Sequence, residues 1–277
     1  MNQLAVTTGS AEADRLLAMA SGNNASSEQM KIPFLAVQYR PMDKQQREVR
    51  AGRFRITDTD GEYVYMKNPK IRVLGEYFQY RETDEEGHLL NKSLLMPSMF
   101  DTARDQKGGE RCGRPNSKAM KLLTEDEQKA WRKKVPFVRV VRGVVTGEGE
   151  DADGNERTIE NYPFQLHLKG MNFMPLDNKV KKSLPKSKSL ASLWLELSST
   201  LEGAVWIINF KIDHDTDAPV DENIIETVKV FGMMMEQENA QIEELHDKSF
   251  LETRELDDAI DSTAEYVDPD PALEIQG

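Results

Sequence analysis

Residues 135–173 constrain the fold of this chain more than any other stretch. The first arm, Val135-Pro136-Phe137-Val138-Arg139-Val140-Val141-Arg142-Gly143-Val144-Val145-Thr146-Gly147, is dominated by β-branched residues, which pack well on a pleated surface and favour a strand. The second arm runs from Ile159 to Phe173. In it Phe164, Leu166 and Leu168 alternate with Gln165, His167 and Lys169, the period-two pattern of a strand with one face buried. Residues 148–157 between the arms are rich in glycine, acids and asparagine. They read as a solvated connection with a turn at Asp153-Gly154. A lone hairpin is marginal in water, so further strands must pair with this one.

Those strands are sought upstream and downstream. Residues 32–39, 53–57, 62–66, 70–80 and 89–95 read as strands, with turns at Asp58–Gly61 and Asp84–Gly87. Residues 204–212 form a last strong one. Short strands with turns at short spacing indicate a mainly β fold with peripheral helices, an OB-like, curled or partly closed antiparallel sheet. Thr124 followed by Glu127 is a capping box and starts a helix running to about Lys134. Apolar residues at helical spacing predict helices over 189–199 and 222–250. Residues 97–118, polar and punctuated by glycine and proline, read as an exposed loop inserted in the core. The domain reading is therefore a flexible arm over 1–30, one elaborated core over 31–250, and an acidic disordered tail over 251–277.

Charge is what turns this β-rich chain towards a function. The net charge of −12 argues against a polyanionic partner, but the charge is segregated. Residues 1–211 hold 33 Lys and Arg against 28 acids, a balance of +5; residues 212–277 hold 3 against 20, a balance of −17. Within the basic body, cations and aromatic rings interleave on the strands. Single-stranded nucleic acid needs that mixture, cationic heads for phosphates and flat rings for bases. Arg53, Arg55, Arg72, Arg139, Arg142 and Lys169 are the candidates for phosphate contact, and Tyr65 and Tyr77 for stacking. The basic loop 104–114 and the lysines between 179 and 188 are further positive segments.

Catalytic and metal signals are weak by comparison. The four histidines, His88, His167, His214 and His246, show no metal-ligand spacing, and Cys112 is the single cysteine. No phosphate-cradling glycine motif or nucleophile elbow occurs. Asp213–Asp217 opens like a calcium loop but continues with Ala218 where glycine is needed and Ile224 where a glutamate is needed. The acid pairs Asp58/Asp60 and Asp151/Asp153 sit beside turn glycines, where acids belong anyway. The expectation is a non-enzyme with no cofactor and no metal. The lone cysteine fits the reducing cytoplasm, that of a host cell if the chain is viral. No run of 18 apolar residues is present, so no membrane span is expected.

A strand-rich OB-type core, a basic and aromatic face and an acidic C-terminal tail together resemble the phage-type single-stranded DNA-binding proteins. The resemblance is architectural. It implies a protein that coats and protects single-stranded DNA during replication or recombination, largely without sequence preference. It also implies a tail, here Glu252, Asp257, Asp258, Asp261, Glu265, Asp268, Asp270 and Glu274, that engages replication proteins and competes with DNA for the basic face. The chain ends Leu273-Glu274-Ile275-Gln276-Gly277 and lacks the terminal phenylalanine of bacterial members. The competing reading is a structural or assembly protein, such as a virion component, whose helix 222–250 associates with other copies through the adaptable Met233-Met234-Met235 run.

Overall fold

A computed structural model describes residues 32–264 apart from 44, 100, 186–187, 215 and 217, with side chains as far as Arg254. The expected arm over 1–30 and residues 265–277 of the expected tail lie outside the described residues. The chain divides into two compact units. Of the described residues, one unit comprises 32–79, 95–101 and 136–238; the other comprises 80–94, 102–135 and 239–264.

The first unit is mainly β. Strands β1 (Ala36–Val37), β2 (Phe54–Thr57), β3 (Tyr63–Met66) and the first part of β4 (Lys70–Thr83) precede the central hairpin of β6 (Phe137–Glu150) and β7 (Glu156–Leu168). Strands β8 (Trp194–Glu202) and β9 (Val205–Asp213) follow as a second hairpin. All of these strands pair antiparallel in a nearly closed, barrel-shaped sheet compatible with an OB-like fold. Hydrogen bonds trace a closed ring: β1 on β2, β2 on β3, β3 on the far end of β6, and β6 on β7. The chain leading into β1 completes it. Leu35 donates its N–H to the Gln165 carbonyl (2.9 Å), and Gln165 donates to the Pro33 carbonyl (2.8 Å). Strands β4, β8 and β9 extend the sheet from β6.

Alternation fills the interior. Leu35, Val37, Phe54, Ile56, Val64, Met66, Phe164, Leu166 and Leu168 are all buried and form one cluster with Leu195, Leu197, Ile208 and Phe210. Close approach of two strands is secured at Gly143. A Cβ there would stand 1.9 Å from the Arg72 carbonyl oxygen, so any side chain would push β4 off β6. At β9 the side chain of Asn172 supplies partners: Ile208 donates to its Oδ1 (2.6 Å), and its Nδ2 donates to the Trp206 carbonyl (3.0 Å). The open edge of the sheet at β9 is thereby partly satisfied, which blunts it as a template for pairing.

Two expectations change here. Residues 148–150 and 156–157, read as solvated connection, belong to β6 and β7, and only Asp151–Asn155 turns. Asp151 organises that turn by accepting the N–H groups of Asp153 and Asn155, each at 2.9 Å. The helix expected over 189–199 is a 3-10 turn followed by β8. Leu195 and Leu197 alternate with Glu196, and Gly203 (φ +61°) sits in the two-residue turn that lets β8 pair with β9 along its whole length. Pairing with a strong strand outweighed a helical spacing of leucines.

The second unit contains β5 (Leu89–Lys92), which pairs with the end of β4, and two short helices, α1 (Ser117–Met120) and α2 (Glu125–Lys134). Helix α2 has the expected capping box, with Thr124 and Glu127 exchanging hydrogen bonds. The segment expected to be an exposed loop is tied down by Asp105, which is 1% exposed. Its carboxylate accepts the N–H groups of Lys107 (3.0 Å), Gly109 (3.2 Å) and Cys112 (2.9 Å). The short helix α3 (Pro175–Lys179) belongs to the first unit, and the long helix α4 spans Glu222–Ala264. Helix α4 therefore continues past residue 250 into the expected disordered tail. Glu, Leu, Arg and Ala in 251–264 are good helix formers, and the next prolines are Pro269 and Pro271.

Candidate nucleic-acid interface

The outer side of the ring presents one row of side chains from four strands. Ala36 pairs with Arg55, and Arg55 pairs with Tyr65, so all three lie on one face. Phe34 and Arg53 are two residues from Ala36 and Arg55 and share that face, as does Tyr63 with Tyr65. The adjoining β7 adds Gln165 and His167, with Lys169 just beyond its end. Phe34 is 51% exposed and meets the His167 ring edge-on, with centroids 4.9 Å apart. Arg55 lies over the Tyr63 ring at 5.0 Å, and the Tyr63 and Tyr65 centroids are 6.3 Å apart.

Gln165 sets the histidine. Its Oε1 accepts from Arg142 Nε (2.8 Å), which leaves Nε2 to face His167 Nε2 at 2.9 Å. Only the amide nitrogen can donate there, so the imidazole Nε2 accepts and the proton sits on Nδ1. The ring is thus held against Phe34 as a fixed, two-ring apolar step beside a cation.

Of the eight candidate residues, Arg53, Arg55, Tyr65 and Lys169 lie on this face. The Tyr65 ring, however, is 4% exposed, and burial pushes its hydroxyl pKa up. It supports the face and does not offer a ring for stacking. Arg72, Arg139 and Arg142 are buried, which corrects the reading of them as phosphate contacts. Arg72 donates to the carbonyls of Ala191 (2.6 Å), Ala218 (3.1 Å) and Pro219 (2.8 Å). Arg139 is fully buried between the Phe78 and Phe173 rings, at 5.5 and 4.6 Å, and pairs with Asp177 and Glu76. Arg142 pairs with Glu238 at 2.8 Å and lies over Tyr77, a half-buried ring in an apolar cluster with Leu95, Val138, Val140 and Met235. A buried guanidinium is tolerated only with such partners, and burial keeps a phosphate from the nitrogens of Arg139 and Arg142 that they leave unpaired.

Phe34 was not among the candidates. Residues 33–37 are apolar throughout, so nothing in the sequence says which of them faces out until β1 pairs. Tyr63 and His167 stood among the interleaved residues without being singled out. In the other basic segments, Arg114 donates to the Val135 carbonyl (2.8 Å), Lys107 pairs with Glu82 (3.4 Å), and Lys181 pairs with Glu76 and Asp177. Acids interrupt one end of the outer face: Arg47 is held by Asp43, Glu62 and Asp153, and Arg157 by Asp151 and Asp60.

Among the described residues no group of three or more His, Cys, Asp or Glu stands in metal-binding proximity, and no helix is long and apolar enough to cross a membrane. No family model, characterised protein or solved structure matches this chain.

Proposed function

We propose that this protein binds single-stranded DNA without catalysis and with little overall sequence preference, along the outer face of the β1–β2–β3–β7 ring. The observation that carries the reading is the ring pair of exposed Phe34 and half-buried His167, beside the Arg55–Tyr63 pair on one sheet face. Stacked rings take bases of any identity, and the neighbouring cations take phosphates. On this reading the protein coats and protects single strands in replication or recombination, like the phage-type proteins it resembles. Its acidic C-terminal residues then compete with DNA for the same cations and recruit replication proteins. Fluorescence anisotropy with labelled oligonucleotides at two salt concentrations tests it. Binding of single strands that weakens as salt rises, with duplex disfavoured, is expected. No binding at low salt, or equal binding of duplex, would contradict it.

A second reading, an assembly protein, has one observation in its favour. In the first unit α4 leaves Ile225, Val228 and Met233 exposed, at 46%, 39% and 50%. Sedimentation of the purified protein separates the readings: a concentration-dependent oligomer disrupted by polar substitutions at these positions, without DNA affinity, would favour assembly.

A further inference from the structure

A cavity of about 520 Å3 opens where the outer face meets the β6–β7 turn. This volume lies within the range of small-molecule pockets, about 300–1,000 Å3. Its walls include Arg50, Arg53, Glu48, Glu150, Val49 and Tyr65. Other cations around it are spoken for: Arg47 and Arg157 have carboxylate partners. Among the described residues, the guanidinium groups of Arg50 and Arg53 have neither an ion pair nor a hydrogen bond, and Tyr65 is buried with an unpartnered hydroxyl. The carboxylate of Asp151, also in the wall, is consumed by its own turn and by Arg157. Glu48 and Glu150 are exposed and unpaired among the described residues.

Two unpaired guanidinium groups select an anion. Two carboxylates in the same cavity repel a bare polyanion and demand N–H donors at the other end of the ligand. One nucleotide supplies both, a phosphate and a base edge. In a single strand the Watson–Crick edge is free to be read. A carboxylate accepts from an exocyclic amino group such as cytosine N4. Thymine has none.

The geometry points to a pocket for one unstacked nucleotide of the bound strand, its phosphate on Arg50 and Arg53 and an amino-bearing base edge on Glu48 and Glu150. This rests on the single-stranded DNA reading and deepens it. The outer face tolerates any base, and the cavity adds a preference at one position. Arg53 serves both, since it lies on the outer face and in the cavity wall.

The test compares an all-thymine oligonucleotide with one of the same length carrying interior cytosines, by anisotropy on the full chain and on the E48Q/E150Q double variant. The cytosine-containing strand is expected to bind about 3- to 10-fold tighter, a part of what a full bidentate base contact yields. The double variant is expected to erase that difference, with its fold checked by circular dichroism. Equal affinity of the unaltered protein for both strands, or a preference that survives in the variant, overturns the pocket while leaving the outer-face reading standing. Failure of either strand to bind overturns that reading and the pocket with it.

Discussion

Two sets of arginines in the first unit begin from the same sequence pattern and reach opposite ends. Arg53, just before β2, and Arg55 within it alternate with Phe54 and Ile56, whose side chains are fully buried. On β4, Arg72 lies between the buried Ile71 and Val73, and on β6, Arg139 and Arg142 punctuate a run of valines. Arg55, Arg72 and Arg142 point away from the apolar cluster of the ring, whereas Arg139, paired in register with Leu168, lies on the cluster's own face of β6. What differs is the presence of a second layer. Chain segments 190–192 and 218–219, helix α3 and the first part of α4 cover the β4 and β6 side chains and bring carbonyls, Asp177 and Glu238 to meet them. Nothing comparable covers Phe34, Arg53 or Arg55 among the described residues. A cation on a strand becomes structural or stays open to solvent according to whether a later part of the chain returns to cover it.

The largest effect is expected on the covered side. Arg139→Met leaves Asp177 and Glu76 without their buried guanidinium, and Arg139 together with Lys181 holds the Asp177 carboxyl below its usual range. Breaking such a pair costs about 3–5 kcal/mol, to be read from denaturant unfolding. A loss under about 1 kcal/mol would show that the covered arginines are dispensable and would blur the contrast.

On the open side the same test reverses. Phe34→Ala should weaken single-strand binding by about 1–3 kcal/mol, the usual loss for one stacked base. Its stability cost should be small, because the ring is half exposed. Arg55→Ala should weaken binding less and lower the salt slope by about one phosphate contact. Arg72→Met, on the covered side, should leave the slope unchanged while lowering stability. A slope that falls equally for both would erase the distinction between the faces.

The smallest effect concerns the turn at the end of the ring. Asn155 first, then backbone N–H groups and Arg157, hold the Asp151 carboxyl at about 2 against its ordinary 3.8. A depressed pKa contributes stability that is present above the unfolded value and is lost as pH falls through the folded one. Asp151→Asn should therefore lower the melting temperature at neutral pH, and the deficit should shrink between about pH 4 and pH 2. A deficit that is constant over that range would mean that shape rather than charge holds the turn.

The sequence made the barrel legible because alternation and turn chemistry agree there. Phe164, Leu166 and Leu168, the Asp-x-x-Gly turns and the Thr124 capping box each point to one local structure. It misled at Leu190–Leu197, where leucines fit a helix and a strand alike and the partner strand decided. For the outer face, alternation correctly placed Arg53 and Arg55 outward at β2. It had no access to the covering layer, whose contacts to Arg72 come from residues 119 to 147 positions away. Phe34 escaped because an all-apolar strand has no polar neighbours to mark its outer face.

Photo-crosslinking tests the central claim most directly. A single-stranded oligonucleotide carrying 5-iodouracil, irradiated in complex with the full chain and mapped by mass spectrometry, should label Phe34, Tyr63 and His167 and spare Tyr77. Labelling concentrated on Tyr77 or on the β8–β9 hairpin, with none on Phe34, Tyr63 or His167, would contradict an interface on the open face of the ring.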